Sequence, residues 1–179
     1  VADAPWQWTL AWGDGTRSGA LNEQIAVRES PKFCTAGVQT VSLTVRDKDG
    51  GEGNRTATLT VLRRTISVLL PGAINARLEE ETQGLLPVTV LSEGGFDATT
   101  LDAGSVRLGA ASVATRPDGT PMAAAEDVDA DGDLDLVLHF ERAAVLDGTQ
   151  GTQVPLSLTG TLTDGCTQVV SAKTVRVLR

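Results

Sequence analysis

The chain has one histidine, one methionine, two cysteines and no tyrosine, and only 3% of its 179 residues are aromatic. Each scarcity removes a class of chemistry. A Ser-His-Asp or Cys-His site would have to be built on His139 alone, and no nucleophile-elbow motif accompanies it. A strand histidine at the surface or in a hydrogen bond is the simpler reading. Zinc asks for several His or Cys ligands at defined spacing, which one histidine and two distant cysteines do not supply. A glycosidase needs two carboxyls facing each other across a cleft usually lined with aromatics, yet residues 65–179 hold only Phe96 and Phe140, with neither Trp nor Tyr. The chain is therefore not expected to be an enzyme. It also lacks a run of eighteen apolar residues to cross a bilayer, and its first residues do not read as a signal sequence. Because it starts at Val1 rather than Met, it is expected to be a piece of something longer.

What is present is globular and strand-like. A hydrophobic content of 41% suffices for ordinary cores, and nineteen glycines with many valines and threonines point to strands joined by tight turns. The expected class is all-β, with two tandem immunoglobulin-like sandwich domains at 1–64 and 65–179, the first incomplete. Charge divides the same way. Residues 1–64 carry eight Lys and Arg against seven Asp and Glu, net +1, whereas 65–179 carry seven against sixteen, net -9, so the net charge of -8 comes entirely from the second part. An acidic surface argues against nucleic acid and for cations. Cys34 and Cys166 fall one in each part. A bridge between them would staple the two together, and the sequence does not decide between a bridge, which demands close geometry, and buried thiols.

The acid is concentrated in DVDADGDLDLVLHF, Asp127 to Phe140. Asp127, Asp129, Asp131 and Asp133 stand at positions 1, 3, 5 and 7 of a loop with Gly132 at 6, the pattern of a calcium loop that must supply six to eight oxygens. The twelfth position is Leu138 where an EF-hand has a bidentate glutamate. Leu134, Leu136, Leu138 and Phe140 recur at period two, so the loop is expected to run into a strand, with Asp135, Val137, His139 and Glu141 on the other face. The missing oxygens would come from Asp135, Glu126, a backbone carbonyl or water. Five close carboxylates repel one another, and a cation among them relieves that. The expected ligands of Ca2+ are Asp127, Asp129, Asp131, Asp133 and Asp135, in a structural role.

In residues 6–12, WQWTLAW, Trp6, Trp8, Leu10 and Trp12 share one strand face. A short strand is expected at Ile25 to Arg28. Val41, Leu43 and Val45, then DKDGGEGN at Asp47 to Asn54, then Ala57, Leu59 and Val61 read as a β-hairpin. These residues resemble the PKD domain, a small immunoglobulin-like sandwich of bacterial and archaeal surface and secreted proteins. The resemblance is carried by WGDGT at Trp12 to Thr16, AGVQTVSLTVRDKDGG at Ala36 to Gly51, and TATLTV at Thr56 to Val61. Such domains usually have one or two strands before the tryptophan-rich one, and only VADAP precedes it here. Residues 1–64 thus resemble a PKD domain lacking its first strand or strands, either by truncation or because a strand donor from another chain or segment completes it. The resemblance offers Asp14, Asp47 and Asp49 as a second candidate cation site, against which stands ordinary Asp turn chemistry, the simpler reading. Trp6 and Trp8 are candidates for stacking on a sugar, against which stands core packing.

Residues 62–70, LRRTISVLL, contain no Gly, Pro or Ser-rich stretch and imply a short stiff join. Beyond it, strands are expected at Ile66 to Leu70, Leu85 to Leu91, Val106 to Leu108, Leu134 to Phe140, Val154 to Leu162 and Thr174 to Leu178. Turns are expected at Pro71-Gly72, Gly94-Gly95, Pro117 to Gly119, Asp147-Gly148 and Asp164-Gly165. ISVLLPGAIN, GLLPVTVLSEGGFDATTLDAGSVRLG and EDVDADGDLDLVLHF resemble a β-rich accessory module of secreted bacterial proteins, and the DxDxDG core resembles the loops of dockerins and thrombospondin type 3 repeats. These resemblances imply an extracellular, calcium-bound, non-catalytic module that spaces, displays or adheres, partnered by neighbouring domains of a longer surface or secreted protein. The alternative is a carbohydrate-binding or substrate-positioning accessory of a secreted hydrolase.

Overall fold

The computed structural model describes residues 3–70, 77–79 and 84–178. The chain is all-β and divides into two compact units, Val1–Leu62 and Arg63–Arg179. The turn expected at Pro71-Gly72 lies outside the described residues.

The first unit is one antiparallel sheet of β1 (Trp6–Trp12), β2 (Gly15–Leu21), β3 (Gly37–Arg46) and β4 (Glu52–Val61), in the order β2-β1-β3-β4. The hairpin between β3 and β4 is present. Asp47 Oδ1 accepts from the N–H groups of Asp49 and Gly51, and Gly50 takes the positive φ of 89° that the turn requires. Register fixes the faces, because residues opposite one another in an antiparallel pair point the same way. Trp8 stands opposite Gly19 on one side and Val45 on the other, and Leu10 opposite Arg17 and Leu43. The three tryptophans, Leu43, Val45, Ala57 and Leu59 thus share one face, and Thr9, Thr44, Thr56, Thr58 and Thr60 the other.

The tryptophan face is thinly covered. Among the described residues Trp8, at 8% exposure, is the sole buried hydrophobic side chain of this unit. Ile25 to Arg28 is not a strand: residues 22–36 cross the sheet as irregular chain, with Trp12 Nε1 donating to the carbonyl of Lys32. Ile25 and Val27 line a groove beside Trp6 and Trp8 yet stay exposed, at 60% and 36%. β2 was not foreseen, since GTRSGAL has little strand propensity and is held by its pairing with β1.

The second unit is a two-sheet sandwich. One sheet runs β10 (Ala111–Ser112), β9 (Arg107–Leu108), β13 (Gln153–Thr161), β14 (Gln168–Leu178) and β5 (Arg64–Thr65), and β7 (Arg77–Glu79) also pairs with β14. The other runs β11 (Ala123–Glu126), β12 (Asp135–Glu141), β8 (Leu85–Val90) and β6 (Val68–Leu69). A short helix α1 (Arg142–Leu146) follows β12. Period-two apolar residues from both sheets meet in one core, with Leu136, Leu138 and Phe140 of β12 opposite Val90, Val88 and Leu86 of β8, and Val154, Leu156 and Leu158 contributed by β13. Leu134 departs from the expected alternation. The strand begins at Asp135, so Leu134 belongs to the loop and is 52% exposed.

Gly19 offers a direct test of the first unit's core. A Cβ there would lie 2.8 Å from Trp8 Nε1, closer than packed atoms stand. Gly19→Val is expected to lift the indole off the sheet and cost about 1–3 kcal/mol, read as a lower urea midpoint and a red-shifted tryptophan emission.

Candidate metal centre

The acidic run folds back on itself between β11 and β12, where Glu126 pairs with Asp135. Two residues of positive φ make the reversal, Gly132 at 98° and Ala130 at 61°. Backbone amides then draw the side chains in. Asp127 Oδ2 accepts from Gly132 N–H at 3.2 Å, Asp129 Oδ1 from Asp131 N–H at 3.3 Å, and Asp131 Oδ1 from Asp133 N–H at 2.9 Å.

Asp135 closes the loop from within. Its residue is 0% exposed, with Oδ1 accepting from Ser92 N–H at 2.9 Å and Oδ2 from Val128 N–H at 3.0 Å. Ser92 is tied in again by its side chain, which donates to the Leu134 carbonyl at 2.7 Å and accepts from Ala98 N–H at 2.8 Å. A buried carboxylate is tolerated only when its oxygens are hydrogen-bonded, and here both are. Ser92 lies 43 residues from Asp135, and no local sequence signal links the two.

Of the five aspartates expected to act together, the structure gathers three. Asp127, Asp129 and Asp135 each offer a carboxylate oxygen within 4.8 Å of the others, and among the described residues this is the one group of three or more His, Cys, Asp or Glu side chains so placed. Asp131 is outside it because its carboxylate turns along the loop to the Asp133 amide. Asp133 is outside it as well, exposed beside Leu134, Gly132 and the 92–99 segment on the wall of a groove of about 510 Å³. In calcium loops of this spacing the seventh position gives its backbone carbonyl, so its side chain has no need to point inward. Position nine, Asp135, is the carboxylate that joins the first and third.

The charges of the group are felt at Asp129. Although the residue is exposed, partial desolvation of its carboxyl is the leading cause holding its pKa above the ordinary carboxylate value. The Asp131 carboxylate acts next in the same direction, and Asp135 and Asp127 add to it, while the hydrogen bond from Asp131 N–H opposes them. A dication among these oxygens would reverse that balance, since opposite charge favours the ionised form. Three hard oxygen donors with room for carbonyls and water fit Ca2+ or another hard cation, and offer no nitrogen or sulfur to a softer one.

The second candidate site does not form, and the Asp turn chemistry set against it is what the structure has. β1 and β3 are antiparallel, with Gln7 opposite Arg46 and Ala11 opposite Ser42, so Asp14 lies past one end of the sheet and Asp47 and Asp49 past the other. Each acid has a local role instead. Asp14 accepts from Thr35 Oγ1 at 2.7 Å, and from the amides of Cys34 and Thr35, and its pKa is lowered first by the Thr35 hydroxyl and then by those amides. Asp47 shapes the hairpin, and Asp49 is bonded by Lys48. Trp6 and Trp8 do share a place, a groove of about 520 Å³ lined also by Leu21, Ile25, Val27, Leu43 and Val45. Trp8 is buried there and Trp6 half-buried, which is core packing rather than a flat exposed pair.

Two substitutions separate anchor from ligand. Asp135→Asn puts an amide where one of two N–H groups now finds an acceptor, and is expected to cost about 1–3 kcal/mol in chelator and more in calcium, where a charged ligand is lost as well. Asp129→Asn removes like-charge repulsion, so it is expected to raise the melting temperature in chelator and to lower it relative to the parent in calcium. Thermal unfolding of both variants in the two buffers checks the crossing of signs.

No family model and no curated protein matches the chain. Among solved structures, the chain is similar to the Bacteroides ovatus mixed-linkage glucan utilization locus (MLGUL) SGBP-B in complex with mixed-linkage heptasaccharide, at 11% identity and a TM-score of 0.32. The match covers 98% of this chain and 37% of that one, so the chain spans little more than a third of that protein's length, and the likeness is too distant to inform the fold or the site.

Proposed function

We propose that the chain is a non-catalytic structural or adhesive module of an exported bacterial protein, stabilised by calcium at Asp127, Asp129 and Asp135. The observation that carries this reading is the convergence of those three carboxylates around a loop that the backbone has already closed. Calcium is favoured because the donors are all oxygen and the loop spacing leaves backbone carbonyls and water to complete six or more ligands. Export is supported by the cysteines, since neither Cys34 nor Cys166 is a free thiol and both are disulfide-bonded, a state that persists in oxidising surroundings. Among the described residues no helix is long and apolar enough to cross a membrane.

A structural role fits what surrounds the loop. His139 sits within the β12 ladder, its N–H donating to the Met122 carbonyl and its carbonyl accepting from Ala114 N–H. The first unit, a single sheet with a half-covered tryptophan face, supports reading it as a partial PKD-like domain whose second layer lies elsewhere. A carbohydrate-binding role would call for exposed, coplanar rings, and the packing of Trp8 against Gly19 weighs against that.

Calorimetric titration with calcium is expected to show one binding event in the parent and none in an Asp127→Asn, Asp129→Asn double variant. Chelator is expected to lower the melting temperature of the parent, since an ion bound only by the native state adds about 2.7 kcal/mol at a hundredfold excess over Kd. No heat of binding together with an unchanged melting temperature would remove calcium from the reading.

A further inference from the structure

We infer that the outer edge of β4 is a self-association edge, along which two copies of the chain pair antiparallel about Thr58. The edges of the second unit are short: among the described residues its sheets end in β10 and β5, two residues each, and in β11 and β6, four and two. Short terminal strands are a common protection against unwanted pairing. β4 has none of it. The strand is ten residues long, pairs with β3 without a bulge from Gly37 opposite Val61 to Arg46 opposite Glu52, and has no proline and no lysine. Every residue from Glu52 to Thr60 is exposed, and the sheet order ends there.

The side chains are self-complementary. A two-fold axis through Thr58, perpendicular to the sheet, sets Thr56 opposite Thr60 of the second copy, Ala57 opposite Leu59, and Arg55 opposite Val61. Threonine meets threonine on one face, and on the other Ala57 meets Leu59 while Arg55 lies against Val61, with no like charges opposed. That axis keeps both tryptophan-bearing faces on the same side, so the two four-stranded sheets become one of eight strands. Leu59, 37% exposed in the single copy, gains a neighbour across the axis. A closed isologous pair of this kind uses up the long edge and leaves only the seven-residue, glycine-containing β2 outermost.

Sedimentation equilibrium of the 179-residue chain at rising concentration is expected to reach twice the 18.6 kDa monomer mass. Thr58→Lys opposes two ammonium groups at the axis and is expected to return the mass twofold, to the monomer, with an unchanged circular dichroism spectrum; Ser18→Lys, on β2, is expected to leave the dimer intact. Thr58→Cys is expected to give a covalent dimer on oxidation, and decides the matter if the lysine variant misfolds. A monomer at all concentrations, a dimer that survives Thr58→Lys, or open-ended oligomers sensitive to Ser18→Lys would overturn the inference.

Discussion

A carboxylate with no exposure to water stands at the first residue of β12, and the arrangement around it depends on how its two oxygens are satisfied. Asp135 accepts one N–H from the loop that precedes it and one from Ser92, on the segment that follows β8. The first bond closes the acidic loop; the second joins it to the neighbouring strand's exit, where Ser92 also holds the Leu134 carbonyl and the Ala98 amide. Breaking one such bond leaves a buried polar group without a partner, which costs more than the bond's net worth. The loop is therefore shaped by the protein's own backbone, and its outer carboxylates, Asp127 and Asp129, are brought to Asp135 rather than left to find it.

The two units solve burial differently. In the second, two sheets close on a shared core in which Val88, Leu138 and Phe140 have no exposure at all, and a loop at its margin can be held rigidly because the strands beneath it are. In the first, one sheet has a threonine-rich face turned to solvent and a tryptophan face roofed only by irregular chain. Indole rings laid against glycines, Trp8 over Gly19 and Trp12 over Gly15, give that face much of what packing it has. A sheet so thinly covered gains from any further layer or edge partner, whereas the second unit has little left to offer one.

Period-two patterning made β3, β4, β12 and β13 legible in the sequence, because the alternation that marks a half-buried strand is local. The loop was legible for the same reason, its aspartates being spaced along the chain. What could not be read was which of them converge. That depends on Ser92, far along the chain, and on Asp131 preferring the amide of Asp133. The misplacement of Asp14 with Asp47 has a similar source: both sit in turns, but whether two turns share an end depends on β3 running against β1, which no local pattern reports. β2 and the irregular cover at 22–36 were missed because pairing and packing, rather than propensity, decide them.

The closing of the loop by backbone amides bears on what a cation would find there. Each of the three carboxylates already accepts a hydrogen bond, but a carboxylate oxygen has two lone pairs, so accepting an N–H leaves capacity for an ion. The ordering that an unstructured acidic segment would undergo on binding is thus largely in place beforehand, which favours affinity. Against it stands ligand count: three carboxylates are fewer than the strongest calcium loops provide, and carbonyls and water bind less firmly. The two effects together place the proposed site among weak calcium sites rather than with sensors. A site that is preformed and weak changes shape little on binding, and its effect is then on how hard the second unit is to unfold.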